Sequence, residues 1–303
     1  MVPYALYRRT AAAKEPFDVK SQGTLRILTA LALLAATLAA IFALPSDAFF
    51  LVAVAVVTAA GVELARMLRH WAPRAPLGVF LVLLPVFTLA AGLAVRQGLT
   101  ASPALVAGVV WGAAVLAAAL LVLWRAPIAE AAPAMAFMTF LLIYLAVPAL
   151  CLYHLHRVDP WLVLALVFMV GLGDSAAYYL GSAFGRHKMA PSVSPKKSWE
   201  GAVAGFVTAL ATLAVWCLAR RGELTAGWIA AAAVTAVAAQ LGDLIESLIK
   251  RGAGVKDSSQ ILPGHGGLYD RFDALLLAAP VFLLALWGLG LLDGGETLGT
   301  LSP

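Results

Sequence analysis

Charge is what this sequence has least of. Asp, Glu, Lys and Arg together make up 12% of 303 residues, while apolar side chains make up 62%; soluble domains carry about a quarter charged residues. A larger core does not absorb that difference, because a water-facing surface still needs polar cover. The scarcity excludes a water-soluble fold and makes bilayer the natural solvent. The chain reads as one all-α polytopic membrane domain over residues 1–303. Cysteine is also scarce: Cys151 and Cys217 both sit in apolar runs without CxxC spacing. They read as small buried apolar residues, which excludes a cysteine metal site. No Gly-x-Ser-x-Gly elbow occurs, so the His265-Gly266-Gly267 triplet has no nucleophile to serve as an oxyanion loop. No Gly-x-x-x-x-Gly-Lys-Ser/Thr loop occurs either, and the stretch from Gly181 to Lys188 lacks its spacing. Any nucleotide must be held in another way. The polar, basic segment 1–23 has no small-residue cleavage site after a short apolar run and is not read as a signal peptide. The net charge of +5 is not read as a nucleic-acid surface, because its distribution has a simpler use.

What is present is a series of apolar runs. A spanning helix needs about 20 mostly apolar residues, and nine candidates occur: 25–44, 48–65, 77–95, 103–124, 133–153, 160–180, 202–219, 228–249 and 274–292. With the N-terminal segment 1–24 cytoplasmic, Arg96, Arg157, Arg220 and Arg221 fall outside. The other 17 of the 21 Lys and Arg residues fall inside. The positive-inside rule expects such a bias, so the N-terminus is expected inside and the C-terminus outside. Two inside segments, 181–201 and 250–273, are more charged than the loops of the first half. Chemistry is therefore expected from residues 160–292, on the cytoplasmic face. The sequence assigns no role to the helices over 25–153.

Ionisable groups inside spans are costly and usually functional. Glu63 stands one turn from Arg66, and pairing or snorkelling explains it adequately. Asp174, in Gly171-Leu-Gly-Asp174-Ser, has no basic neighbour in its own helix and needs a partner from elsewhere. In Gln240-Leu-Gly-Asp243-Leu-Ile-Glu246-Ser247-Leu-Ile-Lys250-Arg251, Gln240, Asp243 and Ser247 form one stripe and Glu246 with Lys250 an i, i+4 pair. The pair reads as partly structural, and Asp243 as facing a polar cavity. The glycines of Gly201-Ala-Val-Ala-Gly205 and of Gly108-Val-Val-Trp-Gly112 read as helix-packing motifs.

Between Ser247 and Asp273 the chain changes character. Lys250, Arg251, Lys256 and Arg271 interleave with Asp257, Asp270 and Asp273, around Pro263-Gly264-His265-Gly266-Gly267. Cations and close backbone suit a polyphosphate, and carboxylates suit the hard divalent cation that travels with it. Asp270 and Asp273, at i and i+3, share one face if the last helix starts early. A basic loop that only met anionic lipid would need the cations but not the aspartates.

This stretch, with Ser247, Lys250-Arg251, Lys256-Asp257, His265-Gly-Gly and Asp270-Arg271-Phe-Asp273 at fixed intervals, resembles the signature of phosphatidate cytidylyltransferases, also called CDP-diacylglycerol synthases. Asp174, Tyr178, Gly185, Lys188 and Ser194-Pro-Lys196-Lys197-Ser-Trp-Glu-Gly201 resemble that family's other cytoplasmic block. The resemblance covers roughly the second half of the chain. It implies transfer of the cytidylyl group of CTP to phosphatidate, giving CDP-diacylglycerol and pyrophosphate. It also implies Mg2+ with room for a second cation, membrane lipid as partner, and a homodimer; the Ala-rich helices and short loops suggest a bacterial inner membrane. Asp243, Asp270 and Asp273 are the metal ligands so implied, with Asp174 adding a ligand or orienting a lysine. Lys196, Lys197, Lys256 and Arg271 are expected on CTP phosphates, and Lys250 or Arg251 on the lipid phosphate. Ser247, Asp257, His265, Gly266 and Gly267 would complete the phosphate pocket. Two readings stay open beside it: another CTP-using lipid enzyme or polyprenol kinase, and an ion-coupled transporter using the intramembrane carboxylates.

Overall fold

The computed structural model describes residues 19–69, 77–97, 115, 128–261 and 266–292. Eight helices and one hairpin occur among them: α1 (Val19–Ala43), α2 (Ser46–Leu68), α3 (Leu77–Arg96), α4 (Ile128–Val158), α5 (Pro160–Phe184), β1 (Lys188–Ala190), β2 (Ser194–Ser198), α6 (Trp199–Arg221), α7 (Ala226–Gly252) and α8 (Tyr269–Gly288). Seven of the helices, α2 to α8, are long and apolar enough to cross a bilayer. The apolar part of α1, Leu28–Ala43, is shorter. The expected span 103–124 lies outside the described residues except for residue 115, as do Gly108 to Gly112 and His265.

The helices begin and end where local chemistry allows. Asp159 accepts a hydrogen bond from the Trp161 amide at 3.0 Å and places Pro160 at the first position of α5, where a missing N–H costs nothing. Ser198 caps α6 by accepting from the Gly201 amide at 3.2 Å. Gly222, at φ +74°, ends α6 in the left-handed conformation that glycine tolerates. One boundary moved in an informative way: the last helix starts at Tyr269, more than a turn before residue 274. The reason is an external cap, described below.

Two cores form. Leu166, Met169, Leu213 and Phe282 centre one, among α4 to α8. Leu64, Phe80, Leu84, Met138 and Leu141 centre the other, among α2, α3 and α4, and Tyr269 and Leu276 of α8 reach into it. Helices α4 and α8 therefore tie the halves together. Between α5 and α6 the backbones nearly touch. A Cβ at Gly205 would lie 2.8 Å from the Gly173 carbonyl, and one at Gly201 2.6 Å from that of Ala177. The packing role expected of Gly201 and Gly205 is what the helices show. Large apolar side chains such as Leu51, Val82, Val203 and Val215 point outward, each more than half exposed, as lipid-facing positions require.

Candidate active site

The intramembrane acids collect at one end of the bundle. Helix α7 carries Asp243 and Glu246 one turn apart, and α8, packed along it, brings Asp273 beside them. One carboxylate oxygen from each of Asp243, Glu246 and Asp273 lies within 4.8 Å of the others. Glu246 is 1% exposed, so this charge cannot be left to water. Lysines answer part of it. Lys197, from β2, pairs with Asp243 at 2.6 Å. Lys250 contacts Glu246 a turn away and reaches Asp270 at 3.1 Å.

Beside Asp243 opens a cavity of about 240 Å³ whose walls include Asp174, Tyr178, Lys196, Lys197 and Gln240. The hairpin that supplies the lysines is held at its base. Glu200 accepts from the His187 amide at 3.2 Å and contacts its ring Nδ1 at 2.7 Å, and the Trp199 amide donates to the His187 carbonyl at 2.9 Å. Arg251 links hairpin to loop by donating to the carbonyls of Val193 and Val255, at 3.3 and 2.9 Å.

The donor set of Asp243, Glu246 and Asp273 is all carboxylate oxygen, with neither sulfur nor imidazole in the group. Hard divalent cations such as Mg2+ bind such sets, whereas soft ions prefer thiolate or imidazole. The residues fit the implied cation.

Asp270 is engaged differently from Asp243 and Asp273. It accepts from the Ser258 amide at 3.0 Å and from Gly267 at 2.9 Å, besides Lys250. The metal set expected from sequence was Asp243, Asp270 and Asp273; the structure groups the first and last with Glu246 and turns Asp270 onto its own loop. Gly266, at φ +78°, leaves room for this, since a Cβ there would lie 2.6 Å from Asp270. A Cβ on Gly267 would overlap Ser258 Oγ and the Glu63 carboxylate. The glycines are thus packed against protein carboxylates, where the sequence suggested only a phosphate.

Glu63 is the correction to the sequence reading. It does not pair with Arg66, which is exposed. Buried to 1% exposure, Glu63 accepts from the Ser258 and Ser259 hydroxyls at 2.8 and 2.7 Å. It also accepts from the Leu268 and Tyr269 amides at 3.1 and 2.9 Å. Those amides open α8, which has no side-chain cap of its own. A carboxylate at a helix start satisfies orphan donors and meets the favourable end of the dipole, so α8 can begin at Tyr269. The nearby Arg66 hid this, because spacing along one helix cannot reveal a partner some 200 residues away.

The remaining expected residues divide. Lys196, Lys256, Asp257 and Arg271 are exposed, and none makes an ion pair among the described residues. Ser247 is buried on α7. Lys250 is turned inward onto carboxylates, while Arg251 stays exposed and donates to two backbone carbonyls.

Comparison with known proteins gives this geometry a family. Phosphatidate cytidylyltransferase of Haemophilus influenzae is 42% identical over 156 residues, covering 48% of this chain and 54% of that protein. The Pseudomonas aeruginosa protein of the same name is 42% identical over 131 residues, covering 43% of this chain and 48% of its own length. That of Bacillus subtilis is 44% identical over 119, covering 38% and 44%. The chain spans about half the length of the curated relatives it matches. The family itself matches from residue 24 to residue 289, through both cores and every element of the site. The chain belongs to the cytidylyltransferase family.

Proposed function

We propose that the chain joins CTP to phosphatidate, releasing pyrophosphate and leaving CDP-diacylglycerol in the membrane. The observation that carries this reading is Asp243, which belongs both to the oxygen cluster with Glu246 and Asp273 and to the wall of the lysine-lined cavity. Cation ligands and phosphate ligands therefore meet at one residue.

In the reaction a lipid phosphate oxygen forms a bond to the α-phosphorus of CTP, and the bond from that phosphorus to the β-phosphate oxygen breaks. The electron pair leaves with pyrophosphate. The nucleophile needs no strong base, because a phosphate monoester has its second pKa near 6. The barrier is the approach of one anion to another, so the protein's task is positioning and neutralisation. Mg2+ held by Asp243, Glu246 and Asp273 would spread the charge on the phosphates. Lys196 and Lys197 would hold CTP phosphates from the hairpin, with Lys256 and Arg271 facing them from the loop and the first turn of α8. Lys250, which contacts both Glu246 and Asp270, would offset part of their charge without touching substrate.

The bias of 17 among 21 cationic residues supports a cytoplasmic site, and the bacterial relatives support an inner-membrane setting. One experiment tests reaction and orientation together. In sealed vesicles of known orientation, pyrophosphate release should need phosphatidate, a divalent cation and CTP on the cytoplasmic face. Release without phosphatidate would sink the lipid acceptor. Release driven only from the outer face would sink the topology.

A further inference from the structure

The N-terminal helices are not mere scaffold. We infer that Glu63, on α2, is a positioning residue for the reaction, fixing the loop between α7 and α8 and the start of α8 in working register. This rests on the cytidylyl-transfer reading for its turnover arm only; the loop arm stands by itself.

Four donors converge on one buried carboxylate: two serine hydroxyls from the loop, and two amides from the start of α8. All four donors are neutral, so the carboxylate is met by hydrogen bonds and a helix end rather than by an ion pair. A buried acid left without such donors would be costly, which makes the interaction selective for this one loop conformation. The four bonds hold the chain at Ser258 and Ser259 and again at Leu268 and Tyr269.

The contact also leads directly into the site. Ser258 donates its hydroxyl to Glu63 and its amide to Asp270. Asp270 takes Lys250, and Lys250 takes Glu246, a member of the oxygen cluster. On the other side, Tyr269 follows Glu63 and Asp273 lies one turn on, along the helix whose start Glu63 caps. Both routes end on groups proposed to hold the cation. An error of an ångström in that frame is enough to cost rate.

The test uses the full chain, with Ile261→Cys as a reporter. Ile261 is 63% exposed, whereas the native Cys151 and Cys217 are buried. Thiol labelling at position 261 reads loop position without reference to catalysis. Turnover is measured in the background that keeps Ile261. Glu63→Gln preserves shape and removes the charge; Glu63→Asp preserves charge and shortens the reach. For Glu63→Gln, labelling should rise several-fold and kcat should fall about 10–100-fold, as loss of a group that orients ligands does, with a smaller change in the KM for CTP. Glu63→Asp should recover part of both. If Glu63→Gln fails to fold, the paired Ser258→Ala and Ser259→Ala variant, which removes only two of the four donors, replaces it with the same expectations. Labelling at the unsubstituted rate overturns the inference whatever turnover does, and raised labelling with normal kcat overturns the link to chemistry. Absence of CTP turnover in the unsubstituted chain would strike the functional reading and leave the labelling result to decide the anchoring.

Discussion

At one end of the bundle, Asp47 accepts a hydrogen bond from Tyr153 at 2.7 Å and pairs with Arg96 at 3.3 Å. Nearby, Arg157 donates to the Val95 carbonyl, and buried His156 is held by Ser46, the Ile41 carbonyl and the face of Phe49. Arg220 lies over Trp161 and Arg221 over Trp228. At the other end, Asp243, Glu246, Asp270 and Asp273 form ion pairs only with Lys197 and Lys250 among the described residues. The first end pairs these charged and polar groups with partners from the protein. The second sets four acidic side chains against two paired lysines, next to an open cavity. Matched charge holds helices together; surplus charge at membrane depth asks for an ion from outside the chain.

That contrast is best broken by removing one surplus carboxylate. Asp243→Asn should lower phosphatidate-dependent pyrophosphate release by roughly 10³-fold, while the thermal midpoint stays within about 4 °C of the unsubstituted protein. Near-normal turnover would remove Asp243 from the cation site. A smaller effect is expected from an exposed cation at the same end. Lys256→Ala should raise the KM for CTP about 10-fold, the loss of one charge-assisted contact, with the KM for phosphatidate little changed; equal rises would mean that Lys256 does not distinguish the two substrates. The smallest effect belongs to the matched end. Asp47→Asn loses a half-exposed ion pair and weakens the bond from Tyr153. It should cost about 1–2 kcal/mol of stability and leave turnover within about two-fold. A large loss of rate there would erase the distinction between the ends.

Much of the site was legible because its parts lie close in sequence. Asp243 and Glu246 share a helix turn, and Asp270 and Asp273 share another, so the helical period alone grouped them. The Glu246–Lys250 pair and the Gly201–Gly205 packing face were read in the same way. The period could not say how α7 and α8 are rotated against each other. That rotation puts Glu246, rather than Asp270, beside Asp243 and Asp273. Nor could it show that Gly266 and Gly267 are needed for the close approach of Asp270 and Glu63, because those contacts come from a turn and from a distant helix.

The sequence by itself determined the solvent, the helical class and the neighbourhood of the chemistry. Those follow from composition, from run length and from charge placed where lipid makes it costly, all of them local properties of the chain. Tertiary structure decided the partners. Whether Glu63 answers to Arg66 one turn away or to Ser258, Ser259 and the start of α8 depends on which helices lie side by side. Packing sets that at long range, and no periodicity within a single helix encodes it.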